Sequence, residues 1–171
     1  MTMLIPPPPA GLIKFFAPWN KFYSDSKLTE TLVQFAHTAG LVVAGGIAIA
    51  TDRLTLRAAA WTDANRRHHL DELAVLHRTV IAGLTITILS GLAMLTSDLE
   101  TFLGSWIYWV KMLMVVVLLL NGAQMQSVEK KLAGDSSAAS PHWATLRTNA
   151  IASIALWLSV TLAGLALPNF A

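Results

Sequence analysis

Three ionisable side chains stand inside long apolar runs of this sequence: His37, His77 and Lys111. Such groups are costly in hydrocarbon and mark sites of binding, proton relay or polar pairing between helices. An imidazole can ligate iron through one ring nitrogen or pass on a proton. A desolvated, neutral amine can do the same. Gly40, Ala44 and Ala48 follow His37 on one helical face. Small residues there either let another helix approach closely or leave room for a flat cofactor.

The elements that position these groups are legible in the composition. The chain has 171 residues, 54% hydrophobic and only 13% charged, about half the charge of an ordinary soluble domain. Four windows each approach the ~20 residues a spanning helix needs, roughly 30–50, 73–95, 104–124 and 147–167. Backbone groups in lipid must be satisfied internally, and no period-two alternation is present, so the windows predict helices. The expected fold is all-α: an integral membrane four-helix bundle over 30–171, preceded by an interfacial arm over 1–29. Short loops favour antiparallel neighbours in chain order. With no cysteine, disulfides and thiolate metal sites are excluded. The net charge of +2 and the lack of a long basic run argue against nucleic acid. The opening "MTMLIPPPPAGLIKFF" has no basic start, and its prolines break any apolar core, unlike a cleavable signal peptide.

Charge placement sets the expected orientation. Arg53, Arg57, Arg66, Arg67, Lys130 and Lys131 lie in the first and third connections, with Arg78 and Arg147 at adjoining helix starts. On the other side only Lys14, Lys21 and Lys27 occur, all in the arm. The positive-inside rule then puts both termini outside, on the periplasmic side of a bacterial inner membrane. The arm's "LIKFFAPWNKFY" suits a segment lying at the outer interface, as an anchor for the first span or a dock for a partner subunit. Pro6–Pro9 reads as a stiff extended spacer. "LHRTVIAGLTITILS" and "TLRTNAIASIALWLS" echo one another faintly, as two related hairpins would.

Depth decides which groups can cooperate. His37 and Lys111 each lie three residues before the middle of a span, and their spans run the same way. Both therefore sit roughly 4–5 Å to the outer side of the mid-plane. His77 falls about 10 Å toward the opposite face, so that sharing one metal with His37 is disfavoured. For each group a structural use competes: a hydrogen bond across the bundle for His37, snorkelling past Trp106, Tyr108 and Trp109 for Lys111, an interfacial place beside Arg78 for His77. His68 and His69, near Asp71 and Glu72, could grip a metal, but adjacent histidines diverge on a helix and read as a solvated face. His142 reads as a loop residue, and Thr85, Thr87 and Ser90 as backbone or interhelical hydrogen-bonders.

"AHTAGLVVAGGIAIATDRL" resembles the first span of HemJ-type protoporphyrinogen oxidases and related CopD-like membrane proteins. There a span-one His is followed sixteen residues on by Arg-Leu, as His37 is by Arg53 and Leu54. "LHRTVIAGLTITILSGLAML" and "WVKMLMVVVLLLNG" look like the second and third spans, the third carrying the family's Lys. The resemblance implies a haem b site at His37 and Lys111. It covers about three of the four spans. The last span, "LRTNAIASIALW", keeps Arg147 and Asn149 but lacks the family's Glu and Pro, and no His follows the third span. What carries over is the haem site more than porphyrinogen oxidation.

Two functions follow. In the first, the chain is a haem b-binding redox protein in the lipid bilayer, with His37 and Lys111 at the iron, His77 a weaker candidate, and Gly40 and Ala44 beside the ring. Arg53 or Arg78 would face a propionate or, more simply, lipid headgroups, and quinone or another membrane subunit would exchange electrons. In the second, the chain is a cofactor-free accessory subunit of a larger membrane complex. Copper transport is disfavoured, because the soft ligands it needs are missing: Met94, Met112 and Met114 form no repeated motif.

Overall fold

The computed structural model describes residues 8–134, 137 and 140–170. Pro6 and Pro7, and with them half of the expected spacer, lie outside that range, as does the start of the segment judged for a signal peptide. Over the described residues the protein is all-α, with helices α1 (Ala10–Asp25), α2 (Lys27–Arg57), α3 (Asp63–Ser97), α4 (Leu99–Gly104), α5 (Trp106–Gly134) and α6 (His142–Phe170). A short 3-10 turn, Ala58–Ala60, links α2 to α3. Helices α2, α3, α5 and α6 are each long and apolar enough to cross a membrane.

Capping residues set most of the breaks. The Ser26 hydroxyl accepts from the Thr29 amide at 3.2 Å, which ends α1 and opens α2. Thr62 does the same for α3 and Asp98 for α4. The long helices outrun the windows read from hydropathy. α3 has 35 residues, about 52 Å, against a hydrocarbon core of about 30 Å. Residues 66–72, expected in a connection, are its first turns, and the third connection shrinks to 135–141. The reason is visible at the end of the bundle opposite the chain termini, called here the loop end. Leu70 and Leu73 of α3, Met125, Val128 and Leu132 of α5, and Leu146 and Ala150 of α6 form a buried apolar core there. That core extends the helices past the bilayer as a soluble bundle would.

Arg66 belongs to this core. It is 5% exposed, donates to the Ala58 carbonyl at 3.0 Å, pairs with Asp63 at 2.8 Å and stacks over Trp143. It therefore does not face headgroups, whereas Arg53, Arg57, Arg67, Lys130 and Lys131 remain exposed around it.

The arm is a helix laid on the bundle's other end, the terminal end. The Trp19 indole donates to the Ala93 carbonyl at 2.9 Å, and the Asn20 amide to the Ser97 carbonyl. Tyr23 is buried against the bundle, and burial first, then the charge of Glu30, push its phenol pKa up. Phe15 and Phe22 point outward.

Helix packing is uneven. α2 packs along α3, α5 along α6, and α2 along α6, but α3 and α5 scarcely touch. The short "SDLETFLGS" connection does not make its helices a tight pair, because α4 occupies it. The bundle is thus open along the α3/α5 seam. The α2/α3 seam is the reverse. A Cβ on Gly40 would lie 2.5 Å from Thr87 Oγ1 and 2.7 Å from the Gly83 carbonyl, and one on Gly83 would lie 3.0 Å from Ala44 Cβ. Glycine at both places is what lets the backbones approach.

Candidate functional site

His37 projects from α2 toward α3. Its Nδ1 lies 2.9 Å from the Thr87 carbonyl and 3.2 Å from Ser90 Oγ. Ser90 Oγ donates to the Ile86 carbonyl at 2.6 Å and is therefore placed to accept. A carbonyl only accepts, so Nδ1 carries the proton and Nε2 carries the lone pair. No described residue bonds Nε2. Gly91 of α3 lies under the ring, where a Cβ would come 3.1 Å from His37 Cε1. Of the three hydroxyls expected to bond backbone or a neighbouring helix, Ser90 does both, whereas Thr85 and Thr87 donate to the Ile81 and Gly83 carbonyls of their own helix.

Lys111 lies in the same part of the bundle. It is close enough for its charge to act on His37. Its Nζ faces Gly164 of α6, where a Cβ would stand 3.5 Å away. The amine forms no ion pair with a described carboxylate. Trp109 donates to the Leu103 carbonyl at 3.0 Å at the start of the same helix, as an interfacial tryptophan would.

Gly40 and Ala44 are placed otherwise than expected. Both are buried in the α2/α3 seam, with Gly83 and Thr87 filling the space beside them. Of the two uses open to small residues beside His37, the structure shows the helix contact.

His77 belongs to a separate group at the loop end. Its Nδ1 lies 3.3 Å from Glu129 Oε2 of α5. Asp52 of α2 is 3% exposed and accepts a hydrogen bond from Ser153 of α6. Asp52 Oδ2, Glu129 Oε1 and Asn149 Nδ2 are buried without a hydrogen-bond partner. A cavity of ≈ 210 Å³ opens between α3 and α5 and reaches Asp52, His77, Gln126 and Ser153.

Sequence reasoning missed this acid cluster, because hydropathy assigns Asp52 and Glu129 to connections. A signal existed for Glu129. Met125, Val128 and Leu132 lie four before, one before and three after it, the buried face of a helix that continues. His69, expected on a solvated face, is buried. Its Nε2 meets Thr55 Oγ1 at 2.9 Å, and its ring stands edge-on to Trp61. Only His68 is exposed, paired with Glu72 at 3.3 Å. Among the described residues no three His, Asp or Glu side chains gather as a metal site. His142 opens α6 rather than lying in a loop.

No protein-family model, curated protein or solved structure matches the chain.

Proposed function

We propose that this chain is a haem b-binding redox protein of the membrane, in which His37 Nε2 would hold the iron. The observation that carries the reading is the Thr87 carbonyl holding the proton on Nδ1. A ligating imidazole needs its lone pair on one nitrogen and an acceptor on the other, which fixes both tautomer and ring plane. The donor chemistry fits an iron bound through one imidazole, and Lys111 would serve as a second donor or as a proton relay. Bound haem would supply one-electron transfer at a potential tuned by axial ligand and burial. His37 would bind and orient it, and Ser90, bonded to the same Nδ1, would lock the ring. Gly91 and Gly164 keep bulk away from the imidazole and the amine.

The electron partner we favour is a membrane quinone. The exposed cations at the loop end support an inner-membrane orientation with both termini periplasmic.

The test is a reduced-minus-oxidised visible spectrum with a pyridine haemochrome assay on protein made with haem available. A stoichiometric b-type signal that is lost in His37→Ala is expected. A folded, colourless wild-type protein would sink the reading and leave the accessory-subunit role, with His37 as a bundle hydrogen-bonder.

A further inference from the structure

The cavity along the α3/α5 seam is asymmetric. Its walls are apolar, Val80 and Leu84 on one side and Leu118 and Leu119 on the other. Its polar lining is Thr51, Asp52, His77, Gln126 and Ser153, with Ser153 bonded to Asp52 and His77 set beside Glu129. Trp157, 4% exposed, adds an aromatic surface. Because α3 and α5 scarcely touch, the slot is bounded by helices that leave a lateral way in from the bilayer. At ≈ 210 Å³ it falls below the roughly 300–1,000 Å³ of pockets that enclose whole drug-sized ligands. It suits a head group whose tail remains in the membrane.

Two features say what that head group must offer. Asp52 Oδ2 is buried, lines the slot and has no partner. A buried acceptor left empty is destabilising, more so if charged, and a ligand's donor would satisfy it. His77 has its Nδ1 turned to the Glu129 carboxylate, which leaves Nε2 as an acceptor for a second donor. An apolar, ring-sized slot beside an indole, with two acceptors at one end, matches an aromatic ring bearing hydroxyl groups.

We propose that the α3/α5 cleft binds the head group of a membrane-dissolved quinol, with Asp52 Oδ2 and His77 Nε2 accepting its ring hydroxyls. As the seat of the redox partner it rests on the haem reading above; as a binding site it does not. The cleft runs from Asp52 and His77 on the loop side to Leu84 and Leu118 near the middle of the bundle, and His37 is not among its lining residues, so each can be removed without the other.

The probe is hexylresorcinol, a tailed dihydroxybenzene that does not exchange electrons at mild potentials, with its dimethyl ether as the control that cannot donate. Binding to protein in lipid nanodiscs is read by calorimetry and by tryptophan quenching, against empty nanodiscs. Saturable binding of hexylresorcinol and none of the ether is expected. Gly122→Leu should abolish it, because a Cβ at Gly122 meets nothing within 4 Å and the added side chain enters the slot without disturbing the fold. Asp52→Asn should weaken it about tenfold, as a neutral acceptor replaces a charged one. His37→Ala should leave it unchanged, whether or not haem is present. Equal binding of the ether, no saturable component, or binding unaffected by both Gly122→Leu and Asp52→Asn in folded protein would each overturn the proposal.

Discussion

The two halves of the bundle solve opposite problems with the same helices. Toward the terminal end, α2 and α3 meet glycine to glycine, and the polar groups there are held by backbone: His37 by the Thr87 carbonyl, Ser90 by that of Ile86. Toward the loop end, the helices splay along α3/α5, and side chains meet side chains: His77 with Glu129, His69 with Thr55, Asp52 with Ser153. The first arrangement fixes one nitrogen rigidly and leaves little space on that face. The second leaves space and buried acceptors without partners. A ligand that needs one well-aimed donor atom belongs to the first half. A ligand that must enter, be hydrogen-bonded and leave belongs to the second.

That contrast breaks most sharply at the tight seam. Gly40→Ala would put a methyl 2.7 Å from the Gly83 carbonyl, so the backbones must separate. Overpacking of this kind costs typically 1–3 kcal/mol, occasionally more. A backbone obstacle places this variant at the upper end, and loss of monodisperse protein in detergent is expected. Gly46→Ala on the same helix meets nothing within 4 Å and should keep the wild-type melting temperature or raise it. If the two variants behaved alike, the seam would not be closed as described.

The soluble-like core at the loop end gives the next effect. Arg66→Ala removes one of the two donors to the Ala58 carbonyl, leaving the Trp61 amide at 3.1 Å, and with it the stack on Trp143 and the pair with Asp63. A loss of about 2–3 kcal/mol is expected in denaturant unfolding, as for a hydrogen bond from a charged group. Thr55→Val is the smallest: it deletes one neutral hydrogen bond to buried His69 and keeps the volume. The expected loss is about 1 kcal/mol. Both should leave any haem spectrum untouched, since they act at the far end from His37.

Much of the fold was legible because lipid imposes a coarse rule: about twenty apolar residues, one helix. The four windows each fall almost wholly within an observed helix. What hydropathy could not mark is where those helices stop. Residues 66–72 and 128–134 look like connections by charge, yet Leu70, Leu73, Val128 and Leu132 keep a helical stripe among those charges. Arg66 is the sharpest instance, because charge predicts solvent and only the position of Ala58 and Trp143 shows why it is buried. His37 and Lys111 were paired by depth, and the structure brings them into one region. Gly40 and Ala44 were open to two uses, and only the place of Gly83 and Thr87 decides between them. Asp52 and Glu129 were invisible as a pair because they lie far apart in sequence on helices that chain order does not make neighbours.

The most direct test of this division is one preparation of His37→Ala and one of Gly122→Leu, each taken through the haem difference spectrum and the hexylresorcinol titration. His37→Ala should lose the b-type signal and keep probe binding, and Gly122→Leu should keep the signal and lose the probe. Two folded variants that each lost both properties, or neither, would contradict the claim that the bundle holds two separable sites.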